Sequence, residues 1–309
     1  MTEPALASKL TQAGREAPRR SLGFRVWRWA HELGWRHLVA ILALAFALFP
    51  VIWVVSASIN PVGSTLSGQK LIPGDPSFGN FSDLFSTTPF ARWMVNTVLI
   101  AGGAAFINTA LAAFAAYAFS RMRFRGRRAG LLSVLLIQMF PQVLAFVAIF
   151  VLMDGIGDVF PAIGDGTRLG LLLVYLGGAM GVNTWLMKGF FDTIPVDLDE
   201  SAKVDGASHS QIYFKIVLPL AVPILAVVFF LSFIALFNDY VLARAVIGIG
   251  HEDNYTLSVG LYNFVSDRFN ARWGIFAAGA LVASIPIVVL FQFLQRYIVS
   301  GLTQGAVKG

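Results

Sequence analysis

Residues 195–219 read P-V-D-L-D-E-S-A-K-V-D-G-A-S-H-S-Q-I-Y-F-K-I-V-L-P. They form the longest polar interval in the second half of the chain on its Lys/Arg-rich side. The interval holds four acids (Asp197, Asp199, Glu200 and Asp205), Lys203, Lys215 and His209. Neither here nor elsewhere do such residues form the paired acids, metal cluster or activated nucleophile that a membrane-embedded enzyme needs. His31, His37, His209 and His251 are scattered without metal-ligand spacing. With no cysteine in the chain, disulfides, thiolate metal sites and cysteine nucleophiles are excluded. No G-x-x-x-x-G-K-[ST] loop is present to cradle ATP, so an energy source of that kind has to sit in a partner.

The polar interval predicts two helices broken by a glycine. Pro195 stops the preceding element, and Asp197 followed by Glu200 resembles a capping box. Gly206 suits the left-handed position that ends a helix. Ser208 followed by Gln211 is a second capping box, directly before the apolar run from Ile212. The expected result is a helix of about two turns, a sharp turn, and a second helix running into a membrane span.

The chain has 309 residues, is 57% apolar and has a mean hydropathy of +0.71. That excess over a soluble domain points to an all-α polytopic membrane protein. The net charge is +6. In a soluble protein it would raise nucleic acid as a partner. Here the basic residues cluster beside apolar spans, so bilayer topology explains them and no nucleic acid is expected.

Residues 1–37 are a polar, basic extension, with Lys9, Arg15, Arg19, Arg20, Arg25, Arg28 and Arg36 against Glu3, Glu16 and Glu32. Residues 21–36 interleave Phe24, Trp27, Trp29 and Trp35 with basic side chains. They suit either a helix lying in the interface or an aromatic belt before a span. Residues 38–58 are the first span, with Pro50 near its middle. A signal peptide is the rival reading, since Val55-Ser56-Ala57 resembles a cleavage site. The apolar run is too long and its polar lead too extended for one. Residues 59–93 are an external loop. Spans follow at 94–120, 130–153 (interrupted by Pro141), 169–187 (with Gly177, Gly178 and Gly181), 217–237 (with Pro219 and Pro223 near its start) and 275–298 (with Pro286 inside). The run Arg121-Met-Arg-Phe-Arg-Gly-Arg-Arg128 holds five arginines and no acid, the clearest positive-inside marker. Six spans then put both termini and residues 195–219 in the cytoplasm. Residues 238–273 form a polar external loop, and 299–309 a cytoplasmic tail that by composition is a flexible end.

Glu200, Ala202, Gly206, Ile216, Leu218 and Pro219 match the cytoplasmic signature of ABC importer permeases. That signature is Glu-Ala-Ala, three residues, Gly, nine residues, then Ile-x-Leu-Pro. Ser201 in place of the middle Ala is the one departure. Leu71-Ile72-Pro73, Ala116-Tyr117-Ala118-Phe119-Ser120-Arg121-Met122-Arg123-Phe124 and Gln138-Met139-Phe140-Pro141 resemble carbohydrate-uptake permeases. Asn254-Tyr255-Thr256-Leu257-Ser258-Val259-Gly260 and the ending from Gly301 to Gly309 are similar to the maltose/maltodextrin type, the MalG type. The resemblance covers residues 38–309, which include the permease core at 94–298; the first 37 residues are unmatched.

The resemblance implies a type I importer permease fold and alternating access. It implies a second permease of the MalF type, two ATPase subunits of the MalK type that bind ATP and Mg, and an extracytoplasmic sugar-binding protein. This chain itself needs no cofactor or metal. The residues it assigns to ATPase coupling are Glu200, Ser201, Ala202, Asp205, Gly206, Ala207, Ile216, Leu218 and Pro219. Asn254, Tyr255 and Thr256 are assigned to a loop that reaches the binding protein.

A neutral sugar needs hydrogen-bonding groups and aromatic faces in a mostly apolar cavity. Asn108, Tyr117, Gln138, Gln142 and Asn183 are candidates. The plainer reading of each, an interhelical hydrogen bond, is preferred. Another sugar or a polyol, such as trehalose or glycerol phosphate, is an alternative substrate. An ion-coupled carrier is the rival of another class. It would need intramembrane ionisable residues, and the six expected spans hold none well inside. Lys188, at the end of the fourth, snorkels.

The topology predicts that single cysteines at Ser82 and Asn263 react with an impermeant thiol reagent from outside intact cells. Those at Gly126 and Ser208 stay unreacted. Labelling of Ser208→Cys from outside would remove residues 195–219 from the ATPase side.

Overall fold

The computed structural model describes residues 27, 29–61, 70–140, 142–178, 180–248, 250–266 and 271–306. Among these, all regular structure is helical. The chain divides into two compact units, residues 1–53 and 54–309. Of residues 21–36, read as either an interfacial helix or an aromatic belt, 21–26 and 28 lie outside the described residues. Within this stretch, Ala30–Gly34 forms a π-helical turn that leads into α1 (Trp35–Ile59). From Leu38 to Trp53, α1 is apolar around its whole circumference, the pattern of a helix facing lipid.

The second unit continues with α2 (Gly79–Ser86) and α3 (Phe90–Arg121). Next come α4 (Arg127–Gln138), α5 (Gln142–Val159), α6 (Arg168–Gly178) and α7 (Met180–Phe191). Then follow α8 (Val196–Val204), α9 (His209–Leu220) and α10 (Val222–Phe237). The last three are α11 (Val241–Ile247), α12 (Leu257–Tyr262) and α13 (Trp273–Ala306).

The axis of this unit is α3, against which α6, α7 and α10 all pack. Its buried face carries Ala101, Ala104, Ala105, Asn108, Ala112, Ala113 and Ala116. Three- and four-residue spacing puts them on one stripe, and their small size lets neighbouring backbones come close. Two apolar clusters lie along this axis. One gathers Phe90, Trp93 and Ile100 with Tyr175, Phe237, Tyr255 and Leu257. The other gathers Ala112, Ala116 and Tyr117 with Phe191, Ile212, Tyr213 and Val217.

Several expected spans are broken. The third is two helices, α4 and α5, separated around Pro141, itself outside the described residues. The fourth is α6 and α7, divided next to Gly178. Near that division the Gln138 side chain occupies the place of a Cβ on Gly181, so α4 meets α7 through a glycine. The fifth does not run on from the polar interval. Between α9 and α10 the chain bends by 74°. Pro219 and Pro223 stand four apart there. Each lacks an N–H, and the Pro223 ring crowds the carbonyl four residues back, on Pro219. On the α9 side of the bend, Tyr213–Val217 is π-helical. By length and composition, α3, α13 and the helix over 31–59 can each cross a membrane alone, and two bent pairs, α6 with α7 and α9 with α10, each qualify if taken as one span.

The segment over 238–273 differs most from the expected polar loop. It holds α11, a 3-10 turn (Glu252–Asn254) and α12, and it buries Val246, Ile247, Leu257, Val259 and Phe264. At its other end the chain departs again: α13 continues to Ala306, past the expected end of the span into the tail.

Contact between α12 and α3 is made at Gly260, where a Cβ would fall 2.1 Å from the Trp93 ring. Gly260→Ala should cost about 1–3 kcal/mol by overpacking and lower the Tm of the purified permease complex. Gly189→Ala, with no heavy atom within 4 Å of the added carbon, should leave Tm unchanged or raise it.

Candidate functional site

The polar interval folds into a rigid corner. Pro195 is the N-cap of α8, at φ −55° and ψ 131°. Asp197 is not the cap expected from the sequence. It lies inside the first turn with Asp199, where both acids complement the helix dipole. Proline suits the cap because it has no N–H to leave unpaired. α8 ends in a Schellman motif. The Ala207 N–H donates to the Ala202 carbonyl at 2.9 Å and the Gly206 N–H to that of Lys203 at 3.0 Å. Gly206 supplies the left-handed residue, at φ +83°. Ser208 then caps α9 with the expected box. The Gln211 N–H donates to Ser208 Oγ at 3.3 Å, and the Ser208 N–H donates to Gln211 Oε1 at 2.8 Å. Ala202, Gly206 and Ala207 are thus the parts of one turn. Ile216 and Leu218 are half-buried, and Pro219 is exposed at the bend.

The opposite side of α8 is open. Glu200, Ser201, Lys203 and Asp205 are exposed beside the apolar Val196, Leu198 and Val204, the last 88% exposed. Apolar and charged side chains alternating on a nine-residue helix form a face suited to a protein partner.

The last two turns of α3 hold this corner from behind. Arg121 Nε lies 2.9 Å from Asp199 Oδ2, with the two side chains only 8% and 5% exposed. Arg121 Nη2 also donates to the Ile194 carbonyl at 2.7 Å. Ser120 Oγ donates to Asp192 at 2.6 Å, and Lys188 pairs with the same carboxylate. Burial works to raise the Asp192 carboxyl. The hydrogen bonds from Lys188 and Ser120 and the charges of Lys188 and Arg127 outweigh it and hold the group below the usual carboxylate range. On the far side, Tyr117 OH donates to the His209 carbonyl at 3.4 Å, and its ring packs 4.9 Å from that of Tyr213. Tyr117 is therefore one of the braces of the corner. From the sequence Arg121 is a positive-inside marker, and neither Asp192 nor Asp199 has an assigned partner. One signal was available for Asp199: it shares a helix face with Ala202, three residues on, which turns inward.

Asn108, Asn183 and Gln138 lie between helices. Asn108, fully buried, donates to the Tyr175 carbonyl on α6 at 3.2 Å, while its Oδ1 has no partner. Asn183 on α7 donates to Ser232 Oγ on α10 at 3.0 Å. Gln138 Oε1 accepts from the Val182 N–H at 3.1 Å. Gln138 also lines a cavity of about 650 Å³ with Val134, Ile149, Met153, Val174 and Gly181, and none of the described residues that border it is charged. Gln142 opens α5, and its side chain lies outside the described residues.

At the N-terminal end of α3, Asn254, Tyr255 and Thr256 are fixed to the body of the chain. Asn254 donates to the Gly166 carbonyl at 2.8 Å. Tyr255 and Thr256 are each 3% exposed. Their side chains are thus inside, where the sequence reading had a solvated loop for a partner. Trp93 Nε1 donates to the Glu252 carbonyl at 2.9 Å. Asn96 donates to the carbonyls of Asp253 and Tyr255, at 2.9 and 3.1 Å. The Leu257 N–H donates to Thr97 Oγ1 at 2.7 Å. Arg92 pairs with Asp253 across the surface.

Comparison with known proteins adds the following. Residues 108–304 match the family described as binding-protein-dependent transport system inner membrane component. The galactooligosaccharides transport system permease protein GanQ of Bacillus subtilis (strain 168) is 42% identical over 281 residues, covering 89% of this chain and 96% of that protein. The maltose/maltodextrin transport system permease protein MalG of Escherichia coli (strain K12) is 38% identical over 286 residues, covering 88% and 95%. Its Vibrio parahaemolyticus counterpart is 37% identical over 303 residues, covering 94% and 98%. Among solved structures, a bacterial ABC transporter involved in the import of the acidic polysaccharide alginate shares the fold. Its TM-score is 0.71 at 24% identity, covering 91% of this chain and 100% of that chain. All three sequence relatives are permease proteins of transport systems, and both the length matched and the fold agree. This chain belongs to the family of binding-protein-dependent transport system inner membrane components.

Proposed function

We propose that this chain is one of two different permease subunits of an ABC importer for neutral oligosaccharides of the maltodextrin or galacto-oligosaccharide class. In this reading it has six spans, with α4–α5 counted as one, and both termini lie in the cytoplasm. Two copies of a separate ATPase, of the MalK type, bind ATP and Mg. A MalF-type permease completes the channel, and a sugar-binding protein delivers the substrate from outside. ATP closes the ATPase dimer, the α8–α9 corners of the two permeases move together, and the spans alternate between inward- and outward-open arrangements.

The observation that carries this reading is the corner itself. Its open face combines Glu200, Val196, Leu198 and Val204, and its shape is locked by a Schellman motif and a capping box. Among the described residues the lining of the cavity near Gln138 is uncharged, which favours a neutral sugar over an acidic one. The permease relatives named for maltodextrin and galacto-oligosaccharides support the same substrate class.

Nothing lies within 4 Å of a Cβ added at Gly206. Gly206→Val therefore acts through its backbone, at a cost of about 1–2 kcal/mol, and through any partner seated on the corner. Glu200 makes no cap, so Glu200→Ala removes only a charge from the open face. Both variants should reach the membrane with the second permease and retain less ATPase on co-purification. Uptake and sugar-stimulated ATP hydrolysis should fall together, with Gly206→Val the worse. Full retention of the ATPase and normal uptake by Gly206→Val would reduce the segment to a turn between helices. In proteoliposomes holding the whole complex, neutral maltodextrin or galacto-oligosaccharide with its binding protein should stimulate ATP hydrolysis, while uronic-acid oligosaccharides should not.

A further inference from the structure

Asp199 is the only side chain of α8 that is buried. For a surface helix the usual buried group is apolar, and a carboxylate takes that place only where a cation meets it. The cation is Arg121, the last residue of α3. It differs from Arg123, Arg125 and Arg128 just beyond it, which are exposed. Its second contact, to the Ile194 carbonyl, fixes the entry to α8. Ser120 holds Asp192 one step earlier, and Tyr117 holds the start of α9 at the His209 carbonyl. The whole corner is thus fastened to residues 117–121. At its other end α3 is fastened through Trp93, Asn96 and Thr97 to residues 252–257. Between these two sets of contacts runs one unbroken helix of 32 residues, about 48 Å long at 1.5 Å per residue.

We propose that Arg121 and Asp199 are positioning residues for energy transmission. They moor α8 to α3, so that movement of the ATPase-docked corner is delivered along α3 to the segment around residues 252–257. Chain continuity alone would pass that movement to α7 and α10. Through α9 it would have to cross the 74° bend at Ala221. The mooring to α3 bypasses it. This inference rests on the reading of α8–α9 as the ATPase-docking segment.

The test uses the complete complex of both permeases, the ATPase dimer and the binding protein in proteoliposomes. Asp199→Asn keeps the shape of the side chain and removes its charge, and Asp199→Glu keeps the charge. Three quantities are measured: ATPase retained on the permease, ATP hydrolysed, and sugar taken up per ATP. Asp199→Asn should retain the ATPase at the parent level and still hydrolyse ATP, while sugar per ATP falls about fivefold or more. Asp199→Glu should recover part of that ratio. An unchanged ratio in Asp199→Asn overturns the proposal. So does loss of the ATPase from that variant, which would make the pair part of docking or folding. Failure of the docking reading itself is seen separately, in Gly206→Val that keeps its ATPase.

Discussion

Close approach along one face of α3 is the constraint on which the rest of the second unit depends. In a bilayer there is no water to drive helices together, so association relies on contact area and on polar groups that pair across the gap. The stripe from Ala101 to Ala116 provides the first, because alanine lets α6, α7 and α10 reach the backbone of α3. Asn108 provides the second within that stripe, through its bond to the Tyr175 carbonyl. A larger residue in the stripe would push out three neighbours at once. The two apolar clusters follow from the same arrangement, since each is assembled on one half of α3.

The ends of α3 are polar, and there the balance of forces differs. The Arg121–Asp199 contact is an ion pair without a well-aligned hydrogen bond at Nε, and Asp199 Oδ1 has no hydrogen-bond partner among the described residues. Such a pair adds little net stability compared with an apolar pair of similar volume. Removing one member is another matter, because it strands a buried charge, at about 3–5 kcal/mol. What the pair supplies is orientation: on α8 only Asp199 is buried, with Ala202 half-buried beside it. The remaining side chains are exposed. By contrast, the exposed Arg92–Asp253 pair at the other end is worth at most about 1 kcal/mol. There the buried bonds of Asn96 and Thr97 hold the segment.

Interruptions in the helices occur where backbone donors are missing or where helices meet through glycine. Pro219 and Pro223 bend the chain beneath the corner, and Gly181 lets Gln138 lie against α7. The bend at Ala221 separates the corner from the helix that follows it in sequence. The lateral contacts to α3 join the corner to the bundle without crossing that bend.

Much of this protein was legible in residue order. Apolar runs gave the helices, because a helix in lipid satisfies its own backbone whatever its neighbours do. The spacing Ser208–Gln211 and the glycine at 206 gave the corner, because capping and left-handed backbone are local properties. Glu200, Ala202, Gly206 and the Ile-x-Leu-Pro at 216–219 gave the family. Tertiary structure decided what depends on distant partners. It made Tyr117 a brace for the corner, turned Tyr255 and Thr256 inward, and folded the apparent loop at 238–273 over the N-terminal end of α3. It also moved the start of α8 to Pro195 and paired Asp199 with Arg121, 78 positions away in the sequence. A polar side chain reads the same in sequence whether it meets solvent or a buried counterion. Only the packing of one helix against another determines which of the two it finds.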